Sequence, residues 1–204
     1  MSGFAAFARV LVLSSLSFVT LAPLAAHAET PPAVGAFKDW NRLDEVEVKQ
    51  MFKLSDYDKV TVQAFNTADV PMPTKDDNTF APTEEAQSKF NERYLNQVKD
   101  GFEPLQVSAA DNMTSDKTLL IRGKLVQLDP GSKAARYFAG FGAGHATVGI
   151  ACELVDAKTG TVLVKMVQAR AGSGGVFGGS YDKLLRELTE EVADDTVKLA
   201  KLFK

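Results

Sequence analysis

The stretch that decides the fold runs from His145 to Ala169 and reads HATVGIACELVDAKTGTVLVKMVQA. Apolar side chains alternate with polar or small ones through His145–Val155, which is the period of a half-buried strand. Asp156–Gly160 (DAKTG) is typical of a tight turn that ends in a left-handed glycine. The alternation resumes over Thr161–Ala169, so the stretch predicts two antiparallel strands in a hairpin. The residues expected to face inward are Val148, Ile150, Cys152, Leu154, Val162, Val164 and Met166.

Two glycine-rich segments flank this hairpin, Gly131–Gly144 and Gly172–Ser180. Glycine clusters mark loops with backbone shapes that other residues adopt poorly. Thr118–Leu128 alternates as well and predicts a strand before the first glycine segment. Since successive connections of a meander lie at opposite ends of the sheet, we expect both glycine segments to be neighbours at the end away from Asp156–Gly160.

The rest of the chain supplies two helices and shorter pieces. Lys59–Phe65 alternates and predicts a strand with Val60, Val62 and Ala64 on one face, and Pro104–Val107 predicts a shorter one. We interpret Phe37–Phe52 as irregular. Amphipathic helices are expected over Thr83–Lys99 and Tyr181–Phe203. Thr83 and Ser180 are the expected N-cap residues, and the apolar stripes are Ala86, Phe90, Tyr94 and Val98, then Leu185, Leu188, Val192 and Leu199.

Together these elements predict an α+β fold. We expect a mostly antiparallel sheet of about four to five strands with two amphipathic helices packed on one face. The polar sheet face is a surface that a partner strand or a second subunit can use. It would carry Thr61, Gln63, Arg122, Lys124, Thr147, Glu153 and Lys165.

The first 28 residues have the form of a secretory signal peptide. Val10–Ala22 is a nearly unbroken apolar run, and Ala26-His27-Ala28 fits cleavage before Glu29. The run is shorter than the ~20 residues of a membrane-spanning helix, and no cysteine near the cleavage point could carry a lipid. We therefore expect a soluble periplasmic protein without a membrane span or lipid anchor, divided into a signal peptide (1–28), a leader with an irregular segment (29–55) and one α+β domain (56–204).

Charge and composition exclude several classes of function. The net charge of −3 argues against a nucleic-acid partner, because proteins that bind nucleic acids carry a basic surface patch. Cys152 is the single cysteine, so no internal disulfide forms; a buried core thiol and an intermolecular bridge both remain open.

Chemical motifs are equally sparse. With His27 in the signal peptide, His145 is the one histidine of the mature chain, too few for a zinc site. Ser173 and Ser180 lack the G-x-S-x-G pattern, and the glycine clusters fail both nucleotide-binding fingerprints. We expect no catalytic residues, no metal, no cofactor and no enzyme activity.

The remaining candidate site is the sheet end where the glycine segments should meet the last helix. Its interpretation as a docking surface or anionic-ligand pocket competes with one in which these loops merely close the sheet. Phe138, Phe141 and Phe177 favour a protein contact, because loop aromatics are typical anchors. The candidate residues are Arg136, Gly140, Gly142, Gly144, His145, Gly174, Gly175, Gly178, Gly179 and Ser180.

An ordered series of residues gives the chain a family resemblance: Gly123-x-Leu125, Gly131-Ser132-x-Ala134-Ala135-Arg136, Gly140-x-Gly142-Ala143-Gly144, Leu154-x-Asp156-x-x-Thr159-Gly160 and Phe177-Gly178-Gly179. Over about Asp56 to Lys204 it resembles the bacterial domain-of-unknown-function family 4410 of exported envelope proteins. More distantly, it is similar to periplasmic domains of the curli-secretion channel and to the amino-terminal domain of translocation protein B. The resemblance implies the fold and a role in the envelope, where the more distant relatives are α/β modules that act by binding partners. We expect an envelope protein partner and leave a homo-oligomer open.

Overall fold

The structure, a computed structural model, describes residues 30–103, 105–109, 116–131, 145–172 and 180–204. Within these residues the chain forms one seven-stranded sheet, two long helices and a short 3-10 helix over Leu54–Asp56. The strands are β1 (Gly35–Trp40), β2 (Leu43–Val48), β3 (Lys59–Val62), β4 (Gln106–Ala109), β5 (Thr118–Asp129), β6 (Ala146–Asp156) and β7 (Val162–Gly172). The helices are α1 (Phe80–Gly101) and α2 (Tyr181–Lys201).

The sheet has the strand order β1-β2-β7-β6-β5-β3-β4. Its pairings are antiparallel from β1 to β5, whereas β3 pairs in parallel with both β5 and β4. The prediction of an α+β fold with a mostly antiparallel sheet is confirmed. The expected number of four to five strands is wrong, because the sheet has seven.

The additional strands come from the segment that the sequence suggests is irregular. Phe37–Phe52 contains most of a β1–β2 hairpin, which is closed by Asn41 and Arg42 at φ 51° and 69°. Two consecutive positive φ values are the mark of the tight turns that suit hairpins. Asn is common at the first of these two positions, whereas the second is usually Gly and here is Arg42. The sequence therefore lacks the Asn-Gly pair that would predict a hairpin. The hairpin buries Trp40, Leu43, Val46 and Val48.

The meander of β5, β6 and β7 is confirmed. Ile121 pairs with Leu154, and Leu154 pairs with Val164, so these three apolar residues lie on one face of the sheet. The turn is confirmed too: Gly160 has φ +71°, and its N–H donates to the Asp156 carbonyl at 2.8 Å.

Both helices pack on one face of this sheet and against each other. All eight residues of the two expected apolar stripes are buried. Gly101 lies at the helix crossing, where a Cβ atom would come within 2.8 Å of Val197 Cγ2. The helices and the sheet therefore enclose one shared core.

Four local predictions need correction. The first concerns Thr83: α1 starts at Phe80, Thr79 occupies the N-cap, and the Thr83 hydroxyl donates to the Thr79 carbonyl at 2.7 Å inside the helix. Ser180 does occupy the N-cap of α2, but its side chain makes no capping hydrogen bond.

The other two concern strands. β3 ends at Val62, so Ala64 is exposed and does not continue its apolar face. A register shift beside Leu154 turns Val162 to the far side of the sheet, where it packs with Leu120 and Val155.

Candidate functional site

The predicted meeting point of the glycine segments lies where β5 ends, β6 begins and β7 ends. We call this sheet end the loop end. Asp129 pairs with Thr147 there, and Ala146 pairs with Gly172. Both glycine segments are thus attached to one end of the sheet, opposite the Asp156–Gly160 turn, as the meander predicts.

Only two of the predicted site residues lie within the described part of the chain. His145 directly precedes β6 and is half-buried, and Ser180 directly precedes α2 and is exposed. The others lie outside the described residues: Arg136, Gly140, Gly142, Gly144, Gly174, Gly175, Gly178 and Gly179.

The strand ends at the loop end are firmly positioned. Gly131 adopts φ 69°, and its N–H donates to Asp129 Oδ1 at 2.7 Å, which turns the chain directly after β5. A Cβ atom on Gly172 would lie 3.1 Å from Leu184 Cδ1, so the end of β7 rests on the first turns of α2. The start of α2 therefore belongs to the loop end as well.

A cleft of about 530 Å³ lies at the opposite end of the sheet. Beside it, the Tyr57 hydroxyl donates to Asp156 Oδ2 at 3.1 Å, and the Thr159 N–H and hydroxyl both donate to Asp156 Oδ1 at 2.8 Å. Burial opposes ionisation of Asp156, but these hydrogen bonds outweigh it and hold its pKa below the usual value. Burial, followed by the nearby Asp156 charge, raises the pKa of Tyr57.

The charges around this cleft do not favour an anion. Asp56, Asp116 and Asp156 line it together with two lysines. Lys117 pairs with Asp58 at 3.5 Å, and Lys158 pairs with Asp116 at 3.1 Å. Sequence reasoning missed the Tyr57–Asp156 contact because the partners are 99 positions apart and the turn motif was the one local signal.

A second unpredicted cluster fastens the β1–β2 turn to α2. Arg170 donates from Nε and from a terminal nitrogen to the two carboxylate oxygens of Asp195, both at 2.6 Å. The same guanidinium reaches the Arg42 carbonyl at 3.4 Å, and Lys198 Nζ donates to the Asn41 carbonyl. Arg170 therefore has a structural role, which is to join α2 to the turn between β1 and β2.

Cys152 is a free and buried thiol inside the core. Its sulfur lies 4.0 Å from the Thr196 hydroxyl oxygen, and burial raises its pKa to about 12. This environment favours the core interpretation of Cys152 over the intermolecular bridge.

The face of the sheet opposite the helices, here called the open face, carries a ladder of charges. Arg122 donates twice to Glu153 Oε2, at 2.9 and 2.8 Å, and Lys165 Nζ lies 3.2 Å from Glu153 Oε1. Farther across the sheet, Lys38 pairs with Glu45 at 3.0 Å. Arg122, Glu153 and Lys165 thus lie on the polar face that strand alternation predicts.

Two further observations apply to the described residues. Their His, Cys, Asp and Glu side chains form no group of three or more that could hold a metal ion. Neither α1 nor α2 has the length and apolar character that crossing a membrane requires.

The chain belongs to the DUF4410 family, a domain of unknown function whose model matches residues 60–175. No curated protein matches it in sequence. Among solved structures it is similar to a PelC variant dodecamer from Paraburkholderia phytofirmans, with 18% identity, a TM-score of 0.47, and coverage of 78% of this chain and 95% of that chain. It is also similar to protein XCC0632 from Xanthomonas campestris, of family DUF330, with 15% identity, a TM-score of 0.41 and coverage of 70% and 86%.

Proposed function

We propose that this protein is a non-catalytic binding module of the bacterial cell envelope, soluble in the periplasm, and that its loop end holds an envelope protein partner. The supporting observation is the register of β5, β6 and β7, which attaches both glycine segments to one sheet end beside the start of α2. Loops carried on a rigid scaffold are where binding residues concentrate.

The aromatic residues of these segments supply the anchors of the proposed contact. Phe138, Phe141 and Phe177 fall between the glycines. Aromatic side chains dominate the energetics of protein interfaces, and glycine lets the neighbouring backbone approach a partner closely. A partner protein therefore suits this composition better than a small polar substrate does.

Site-specific photo-crosslinking in the native cell tests the proposal. A photoreactive amino acid at Phe141 or Phe177 is expected to give a discrete adduct with one partner. The same amino acid at Glu92, which is exposed on α1, serves as the matched control. Gly142→Val should then weaken binding of the identified partner at least tenfold. Adducts at Phe141 and Phe177 no stronger than at Glu92 would contradict the proposal.

A carrier or sensor of small anions is the second candidate. It rests on Arg136 in the first glycine segment and on the start of α2, whose free N–H groups favour negative charge. A thermal-shift screen of anionic metabolites tests it, since a ligand at a hundred times its Kd stabilises by about 2.7 kcal/mol. The shift should disappear in Arg136→Ala, and a screen without any shift removes this candidate.

Export is checked separately. Mass spectrometry of the protein from a periplasmic fraction should find a mature chain that begins at Glu29. A chain that keeps Met1 and stays with the cytoplasmic fraction would contradict the location that we propose.

A further inference from the structure

The charges of the open face follow a regular order across the central strands. One row crosses β5, β6, β7 and β2 as Arg122, Glu153, Lys165 and Glu47, each paired in register with the next. The adjacent row crosses the same strands as Lys124, Ala151, Val167 and Glu45. From β5 to β2 the first row reads plus, minus, plus, minus, and the second reads plus, neutral, neutral, minus.

This order is complementary to itself. A twofold axis along the strands, midway between β6 and β7, exchanges β5 with β2 and β6 with β7. In the first row it brings Arg122 opposite Glu47 and Glu153 opposite Lys165 of the other copy. In the second it brings Lys124 opposite Glu45 and Ala151 opposite Val167. Each charge meets its opposite, which is what an isologous interface requires.

We propose that the open face binds a second copy of this chain, face to face, about this twofold axis. The inference is independent of the proposed function, because the loop end lies at the end of the sheet and not on its face. Two sheets related in this way keep their strands aligned, which is one of the two common modes of sheet packing.

The centre of the face has the surface that such packing needs. Val126 and Val167 are 40% and 45% exposed, although they are apolar. Ala151 and Ala169 add only methyl groups around them, and Gly149 adds no side chain, which allows a second sheet to approach closely. At about 4.8 Å between strands and about 3.3 Å per residue, the five strands from β5 to β1 offer on the order of 700 Å², close to the roughly 800 Å² per partner of a standard interface.

The two parts of the surface have different tasks. Apolar burial at Val126 and Val167 supplies the affinity. Arg122, Glu153, Lys165, Glu47 and Glu45 already form ion pairs within one copy. The charges of the two rows therefore add little net affinity and instead select the orientation of the second copy. Reversing a single charge should therefore penalise the twofold arrangement specifically.

Sedimentation velocity on the mature protein tests the proposal with a pair of charge reversals. Lys124→Glu places two carboxylates opposite each other at both symmetric contacts, and Glu45→Lys places two ammonium groups there. Each single variant should dissociate at least tenfold more readily than the wild type. A one-to-one mixture of the two should recover wild-type association, because every contact in the mixed dimer again joins opposite charges.

The controls separate this interface from folding and from other surfaces. Lys124 and Glu45 are both exposed, and the Lys38–Glu45 pair that is lost contributes at most about 1 kcal/mol, so both variants should unfold like the wild type. Glu92→Lys, on the helix layer, should leave association unchanged. A wild type that stays monomeric at several hundred micromolar overturns the proposal. An oligomer whose dissociation is unchanged by both charge reversals overturns it too. Failure of the mixture to associate rejects the twofold arrangement.

Discussion

Among the glycines that the structure describes within strands and helices, Gly123 leaves the least room for an added side chain. A Cβ atom there would lie 2.3 Å from the Ala151 carbonyl oxygen and 2.8 Å from the ring of Phe65. We expect Gly123→Ala to lower the free energy of unfolding by about 3 kcal/mol, the upper end of overpacking costs, because the obstacle includes backbone. Urea unfolding followed by Trp40 fluorescence measures this loss.

Gly149 in β6 supplies the matched control for this substitution. A Cβ atom there would lie 3.2 Å from Gln127 Cβ and meet no backbone atom, so the neighbouring strand has to move by only a few tenths of an ångström. Gly149→Ala should therefore cost less than about 1 kcal/mol. Equal losses for the two variants would show that glycine is not required at Gly123 for steric reasons.

The Tyr57–Asp156 contact should appear in the pH dependence of stability. Because the pKa of Asp156 is lowered in the folded protein, its ionised form contributes stability that is complete above the unfolded value of 3.8. That stability is lost as the pH falls through the lower folded pKa. Tyr57→Phe should cost about 1 kcal/mol at pH 7 and should flatten the decline below about pH 4. Unfolding curves at pH 7 and pH 3 test this, and an unchanged decline would contradict it.

Among the elements, the β1–β2 hairpin is fastened to α2 in part through Arg170, which pairs with Asp195 and reaches the Arg42 carbonyl at 3.4 Å. The Asp195 side chain is 8% exposed, so Arg170→Met would leave a buried carboxylate without its cation. We expect a loss of about 3 kcal/mol and faster amide hydrogen exchange in β1 and β2 than in β5 and β6. Urea unfolding and hydrogen exchange measure the two effects.

The exposed ion pair between Arg186 and Glu190 on α2 provides the comparison. Arg186→Met also removes an arginine that pairs with a carboxylate of α2, yet it should change stability by less than about 1 kcal/mol. If Arg170→Met left exchange in β1 and β2 unchanged, the ion pair would not be what holds the hairpin.

The elements that could be predicted from sequence are those with a long periodic pattern. Phe90 and Tyr94 repeat at helical spacing, and β5, β6 and β7 alternate over about ten residues each. β1 and β2 escaped prediction because their turn uses Arg42 at positive φ, and the bulge-like φ of 52° at Asp39 interrupts their alternation. Local pattern could not reveal that β2 pairs with the distant β7.

The candidate site also has a part that could be predicted from the sequence and a part that could not. Strand alternation was sufficient to place both glycine segments at one sheet end, since a meander allows no other arrangement. The contacts of Tyr57 with Asp156 and of Arg170 with Asp195 could not be predicted, because each joins residues from distant parts of the chain. Their partners are defined by tertiary packing and not by a motif.

For the whole molecule, the hairpin should be indispensable. Trp40, Leu43, Val46 and Val48 are each no more than 6% exposed. At about 1.5 to 3 kcal/mol for each buried apolar side chain, their loss is comparable with the whole stability of about 5 to 15 kcal/mol of a typical domain. We expect a chain of residues 51–204 to unfold without a cooperative transition or to aggregate, and residues 30–204 to unfold cooperatively. Cooperative unfolding of the shorter chain would contradict this expectation.

The pairing of β2 with β7 also determines when folding can finish. The Asp44 N–H donates to Gln168 Oε1 across 124 positions of the chain. During synthesis the first strands leave the ribosome long before their partner exists, and contacts of such separation form slowly. The unfinished chain therefore cannot complete its sheet before β7 has been made. A chain kept unfolded in this way suits the export that we propose for it.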